Sequence, residues 1–143
     1  MWSHLLDLHR AVVQQDQLAD DGEPDAAAAA LATVLLVNEE EAMRLTDLTD
    51  PLKAAQAVVH NGSQLVVLKR GANGLVLVTA TAQHAAPGYA VTPVDFTGAG
   101  DSVTGAMIYG YLKGLDAAAL GILGNATGAT KVQKLGTGHN MPT

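Results

Sequence analysis

The stretch "VTPVDFTGAGDSVTGAMIYGYLKG", residues 91–114, is extended and proline-broken at its start and becomes periodic after its glycines. Gly98, Ala99 and Gly100 stand between Asp95 and Asp101, at the entry to a helix predicted over about residues 99–113. Its apolar or small positions, Val103, Met107, Gly110 and Tyr111, suit a helix packed closely on a sheet. A helix start offers N–H groups without intrahelical acceptors and the positive end of a dipole. Glycine lets backbone approach an anion or take a positive φ. Two readings fit these residues alone: an anion site with Asp101 on its rim, or a turn that uses glycine only for steric reasons.

Working outward, the remaining elements follow from periodicity and caps. Upstream, "TVLLV" predicts a buried strand at about 33–37, and Asn38 followed by Glu41 has the spacing of a capping box, opening a short helix to about Thr46. Asp50, Pro51 and the stop at Asn61-Gly62 bracket a second helix. "QLVVLKR", the turn "GANG" and "LVLVT" predict a hairpin, and "QHAAPGYAVTPV" an extended segment. A last helix runs from Asp116 to about Lys134. Near the start, Leu5, Leu8 and Val12 at i, i+3 and i+7 predict an amphipathic helix over 3 to about 15, followed by an acidic loop, "QLADDGEPD", and an Ala-rich stretch. Strands alternating with helices mean an α/β layered fold, mostly parallel, with an antiparallel hairpin and helices on both faces.

Composition narrows the function. The chain has 143 residues, 48% hydrophobic and 15% charged, with a formal charge of −6, which describes one globular domain or part of one. Only 8 Lys plus Arg, with no run longer than Lys69-Arg70, argue against a nucleic-acid partner, since phosphate backbones need clustered cations. The longest apolar run, Ala26 to Val37 broken by Thr33, is shorter than the roughly 20 residues of a membrane span. Absence of cysteine excludes disulfides and thiolate metal sites, and the N-terminus lacks the basic region of a secretory signal. A cytoplasmic protein is the expectation. The five histidines, His4, His9, His60, His84 and His139, show no metal-ligand spacing.

Two common nucleotide loops can be excluded. No glycine-lysine-Ser/Thr ending exists for a Walker loop, and Val103 stands where a dinucleotide fingerprint needs a small residue. What does match is "DFTGAGDSVTGA", residues 95–106, which resembles the Asp-x-Thr-Gly-Ala-Gly-Asp-x-x-x-Gly-Ala signature of the PfkB/ribokinase family of carbohydrate kinases. Three further segments resemble that family in order: "VLLVNEEEAMRLT" its Asn-x-x-Glu motif, "VVLKRGANGLVLV" its Gly-x-x-Gly hairpin, and "NATGATKVQKLGTGHNMPT" its C-terminal nucleotide-side helix and loop. Phe96 and Val103 depart from the usual residues at their positions.

The resemblance implies a ribokinase-like fold, truncated on its N-terminal side, in which residues 1–143 are a single partial domain. That domain would be the ATP-binding half, without the sugar-binding half and lid. It implies ATP-dependent phosphotransfer to a sugar hydroxyl, with Asp101 as general base and Gly98, Ala99 and Gly100 supplying the amides of an anion hole. Nucleotide contacts are implied at Lys69, Gly71, Gly74 and Asn125, together with Gly98 and Gly100. Asn38 and Glu41 would lie near Mg2+, partly through water; Asn38 and Glu41 also read as a plain capping box, and Asn125 as a backbone-bonding residue. Asp95 and the Thr97 carbonyl match positions where many members hold a monovalent cation, usually K+. An unpaired sheet edge would favour a homodimer or other self-association, and this chain alone would be weakly active or inactive. The alternative is a non-catalytic remnant that binds nucleotide or a partner chain.

Overall fold

The computed structural model describes residues 12–14, 32–140 and 142. In chain order its elements are β1 (Val12–Gln14), β2 (Val34–Asn38), α1 (Glu39–Thr46), α2 (Pro51–His60), β3 (Leu65–Lys69), a 3-10 turn (Gly71–Asn73), β4 (Leu75–Val78), β5 (Gln83–Ala86), α3 (Ala99–Leu112), α4 (Ala117–Val132) and a final 3-10 turn (Gly138–Asn140). The strands form one sheet in the order β1-β2-β3-β4-β5. β1 and β2 are parallel, as are β2 and β3. Connections as short as those between β3 and β4, or β4 and β5, allow only antiparallel neighbours, so the sheet is mixed and the expected hairpin is present.

One expectation is corrected. Val12–Gln14, assigned by periodicity to the end of a helix, is a strand that pairs Val12 with Val34 and Gln14 with Leu36. The adjacent β-branched pair Val12-Val13 suits a pleated strand better than a helical turn. The rest of that helix, the acidic loop and the Ala-rich stretch before Ala32 lie outside the described residues, as do His4 and His9.

The chain divides into two compact units, the first of residues 1–70 and 76–83, the second of 71–75 and 84–143. In the first, Val34, Leu35, Leu36 and Val37 are all buried, which is what a strand covered on both faces requires. The core joins Leu35 and Val37 of β2, Val66 and Leu68 of β3, and Val76 and Val78 of β4 to Ala42 and Leu45 of α1 and Ala54, Ala55, Val58 and Val59 of α2. Truncating a side chain such as Leu35 to Ala there costs about 2–5 kcal/mol. α2 starts where Asp50 accepts hydrogen bonds from the Leu52 and Lys53 amides, at 2.9 and 3.1 Å, ahead of Pro51.

The second unit is dominated by α3 and α4. Their faces meet through glycines: a Cβ at Gly110 would crowd Leu120, Leu115 and Leu123, and one at Gly124 would crowd Leu75 and Met107. Between the helices, the Leu115 amide donates to the Gly110 carbonyl at 3.0 Å, and Asp116 caps α4 by accepting from the Ala119 amide at 2.8 Å. Such a glycine-lined contact explains why α3 has no single apolar stripe. Its close approach depends on small residues rather than on large ones.

Candidate functional site

In the first unit, the C-terminal ends of β2 and β3 lie side by side, with Asn38 in register with Lys69. Ligands of open α/β sheets bind beyond such strand ends. Asn38 Oδ1 accepts from the Glu41 amide at 2.8 Å, while Glu41 Oε2 accepts from the Asn38 amide at 2.7 Å, so the capping box is complete. Glu39, one residue into α1, accepts from Arg70 Nε at 3.0 Å, an exposed pair worth about 1 kcal/mol or less. The cap consumes one oxygen of each predicted Mg2+ residue and leaves Glu41 Oε1 for a water-mediated contact. No group of three or more His, Cys, Asp or Glu that could hold a metal occurs among the described residues. These hard oxygen donors therefore fit Mg2+ held mainly by phosphates and water, and they do not form a protein cage.

In the second unit, α3 begins at Gly98, whose φ of 76° lies in the left-handed region and which, as N-cap, offers no side chain to the first turn. Glycine adopts that conformation without the clash a Cβ would bring. The Ala99 amide donates to the Phe96 carbonyl at 3.1 Å, and the Ser102 amide to the Gly98 carbonyl at 3.0 Å. Of the three glycine-turn amides, Ala99's is thus engaged within the turn, whereas those of Gly98 and Gly100 find no acceptor among the described residues. Asp101 is exposed in the first turn of α3, where the dipole favours its negative charge. Phe96 lies beside this turn and is 71% exposed.

Immediately upstream, Asp95 is the hub of a clasp. Its Oδ1 accepts from the Thr97 hydroxyl at 2.7 Å and the Thr97 amide at 2.9 Å, and its Oδ2 from the Gly136 amide at 2.7 Å. The Thr97 hydroxyl, the Thr97 amide and the Gly136 amide, in that order, with Lys131 adding positive charge, lower its carboxyl to about 2, against an opposing effect of burial. The Val132 carbonyl accepts from the Val94 and Asp95 amides at 2.6 and 3.0 Å. Two strands of irregular backbone, 94–97 and 132–136, are tied together by these bonds, and they fix the approach to Gly98. Lys131, which no sequence pattern singles out, is fully buried in the last turn of α4. Both oxygens of the Asp95 carboxylate are thus engaged by the chain's own donors.

Gly74 and Asn125 meet residues 86–88, and Gly71 opens the same turn, its carbonyl accepting from the Gly74 amide at 3.1 Å. Gly74 has a φ of 90°, and a Cβ there would run into the Ala86 carbonyl oxygen and the Gly88 amide, so no other residue fits this turn. Asn125 is buried, and its Nδ2 donates to the Ala86 carbonyl at 2.8 Å and the Pro87 carbonyl at 3.1 Å. Both of its N–H groups hold backbone. Of the residues for which the sequence predicts nucleotide or Mg2+ contacts, Asn38, Glu41 and Lys69 lie in the first unit and the others in the second. A concavity of about 540 Å³ in the first unit, lined by Gln56, Val59, His60 and residues 79–83, contains none of them.

Comparison with known proteins extends this picture. The family model described as pfkB family carbohydrate kinase matches residues 3–143. The chain is 32% identical over 110 residues to a sugar kinase of Archaeoglobus fulgidus, which covers 77% of this chain and 44% of that protein. Among solved structures, ribokinase from Thermotoga maritima superposes with a TM-score of 0.79 at 27% identity, covering 92% of this chain and 45% of that one. A chain from Escherichia coli described as a Ribokinase II, in complex with ATP and Mg2+, superposes with a TM-score of 0.73 at 32% identity, covering 78% and 36%. The chain thus spans less than half the length of the curated relatives it matches. No helix among the described residues is long and apolar enough to cross a membrane.

Proposed function

This chain belongs to the pfkB family of carbohydrate kinases, and on that premise we propose that it forms the ATP-binding part of an enzyme phosphorylating a sugar hydroxyl. The observation that carries the reading is the start of α3: a left-handed, uncapped Gly98 ahead of an exposed Asp101. Asp101 takes the proton of the attacking hydroxyl. The hydroxyl oxygen then bonds to the γ-phosphorus of ATP as the bond from that phosphorus to the β–γ bridging oxygen breaks, and ADP leaves with the bond's electron pair. Charge on the transferring group is met by the Gly98 and Gly100 amides and the positive end of α3.

Asn38 and Glu41 would hold Mg2+ through water, and the ion when bound neutralises phosphate charge and orients the phosphates. Lys69, in register with Asn38, adds positive charge for the nucleotide. Gly71 and Gly74 shape the turn that covers it, and Asn125 positions that turn through Ala86 and Pro87 rather than touching the base. The same reading places the protein in the cytoplasm, with ATP and a small sugar as its ligands and self-association through an open sheet edge.

Calorimetric titration of the 143-residue chain with Mg·ATP, combined with a sugar-dependent ADP assay, tests this. Asp101→Asn should keep ATP affinity within about threefold while removing the chain's sugar-dependent ADP release, because a base is needed only in the transition state. Absence of ATP binding by the parent chain would sink the proposal. If Asp101→Asn changes neither binding nor ADP release, the non-catalytic reading replaces it.

A further inference from the structure

The buried side of α3 carries Ser102, Val103, Thr104, Met107 and Gly110. Its other side carries Asp101, Gly105 and Tyr109, continued by the C-cap Lys113, a row of residues four apart that are all exposed. Tyr109 is 60% exposed, and Leu112, 55% exposed, flanks it. Lys113 Nζ stands 5.7 Å from the centre of the Tyr109 ring, so the two share this side. A Cβ at Gly105 would have nothing within 4 Å, which leaves a notch one turn before the largest knob of the row. Rows of residues four apart are the ridges through which helices of globular proteins most often pack.

This row is complementary to itself when reversed. Laid against a second copy running the opposite way, with Gly105 facing Tyr109 of the second copy, each ring enters the other's notch. The same register sets Asp101 against Lys113 of the second copy, and symmetry repeats the pair at the other end. Opposite charges at both ends and an aromatic ring over a glycine between them are what a two-fold contact of like surfaces requires. We propose that this face of α3 is a homodimer contact, in which two copies pack antiparallel through Asp101, Gly105, Tyr109 and Lys113. A carboxylate accepts from more than one donor, so Asp101 keeps its bonds within its own chain. The contact gives self-association a helix face beside the open sheet edge. Resting here on the kinase reading, the dimer covers the base Asp101, so that association and sugar compete for one surface.

Sedimentation equilibrium of the 143-residue chain, without nucleotide or sugar, tests this. The parent should show twice the 14.7 kDa of one chain, falling on dilution. Gly105→Leu fills the notch at a helical position where leucine is favoured over glycine, and it should sediment as one chain with the parent's circular dichroism. Lys113→Asp sets carboxylates against each other at both ends and should weaken association by about tenfold or more. Adding Asp101→Lys to it should restore the dimer, because the charges are then exchanged and again opposite. A parent that keeps one chain's mass at every concentration would overturn the proposal. So would a Gly105→Leu chain of twice that mass, which would leave association to the sheet edge, and so would a double variant no more associated than Lys113→Asp alone. Should Gly105→Leu lose its circular dichroism, the charge exchange decides. A monomeric parent that binds ATP sinks this inference alone, while loss of ATP binding with the dimer pattern intact sinks the kinase reading alone.

Discussion

The starts of α1 and α3 solve one physical problem in opposite ways. At α1, Asn38 and Glu41 trade side-chain and backbone bonds, so the Asn38 and Glu41 amides are consumed internally. At α3 the N-cap is Gly98, with a positive φ and no side chain, and the amides of Gly98 and Gly100 find no acceptor among the described residues. Orphan donors at a helix terminus can either be closed for stability or kept for an anion. The difference separates a helix whose start is closed for the fold from one whose start is left to a glycine, although both termini carry acidic residues in the first turn.

The comparison breaks most sharply at Asp101. Its replacement by Asn in an enzyme form that turns over sugar should lower kcat by about 10²–10⁴, the usual worth of a general base, with unfolding unchanged in a urea titration. A uniform rise in KM at constant kcat would instead make Asp101 a binding residue like Glu41. Next in size is Gly98→Ala. It forces a side chain into the left-handed region at a cost of roughly 1–3 kcal/mol, and calorimetry should show ATP affinity falling along with the melting temperature.

At the closed terminus the effects are smaller and separable. Asn38→Ala should cost about 0.5–2 kcal/mol in urea unfolding, since a cap is lost. Glu41→Gln keeps an acceptor that a capping box tolerates but removes the charge. It should leave stability within about 0.5 kcal/mol while weakening the Mg2+ dependence of ATP binding; if both substitutions reduce stability equally and neither affects that dependence, α1 is structural alone.

The smallest effect lies in the clasp that aims α3. The Asp95 carboxyl, at about 2 in the folded chain against 3.8 ordinarily, contributes stability that is fully present above 3.8 and lost as pH falls through 2. Urea midpoints measured from pH 5 to 2 should decline in that window, and Asp95→Asn should flatten this part of the decline.

Much of this was legible before any coordinates. The strand "VLLV" and the hairpin around "GANG" announce themselves because burial on both faces demands unbroken apolar runs and a tight turn demands glycine. The capping box of α1 and the Asp50-Pro51 start of α2 were legible for a similar reason: a cap and its target lie within three residues. Val12–Gln14 was misread because an i, i+3, i+7 pattern on so short a segment cannot outweigh a neighbouring strand, Val34–Leu36, that takes its backbone bonds. Asn125 kept two readings open in sequence, and only the structure shows its Nδ2 bonded to the Ala86 and Pro87 carbonyls, 39 and 38 residues away.

By itself, then, the sequence determined the order and type of the elements from Val34 onward and the glycine-led start of α3 at Gly98, because these depend on hydrogen bonds and torsions within a few residues. The tertiary structure alone decided that Asp95 is held by Gly136, 41 residues on, and that Lys131 is buried at the end of α4. Such pairings follow from how α4 returns to the segment before α3. No local periodicity encodes which amide, 41 residues on, a carboxylate will meet.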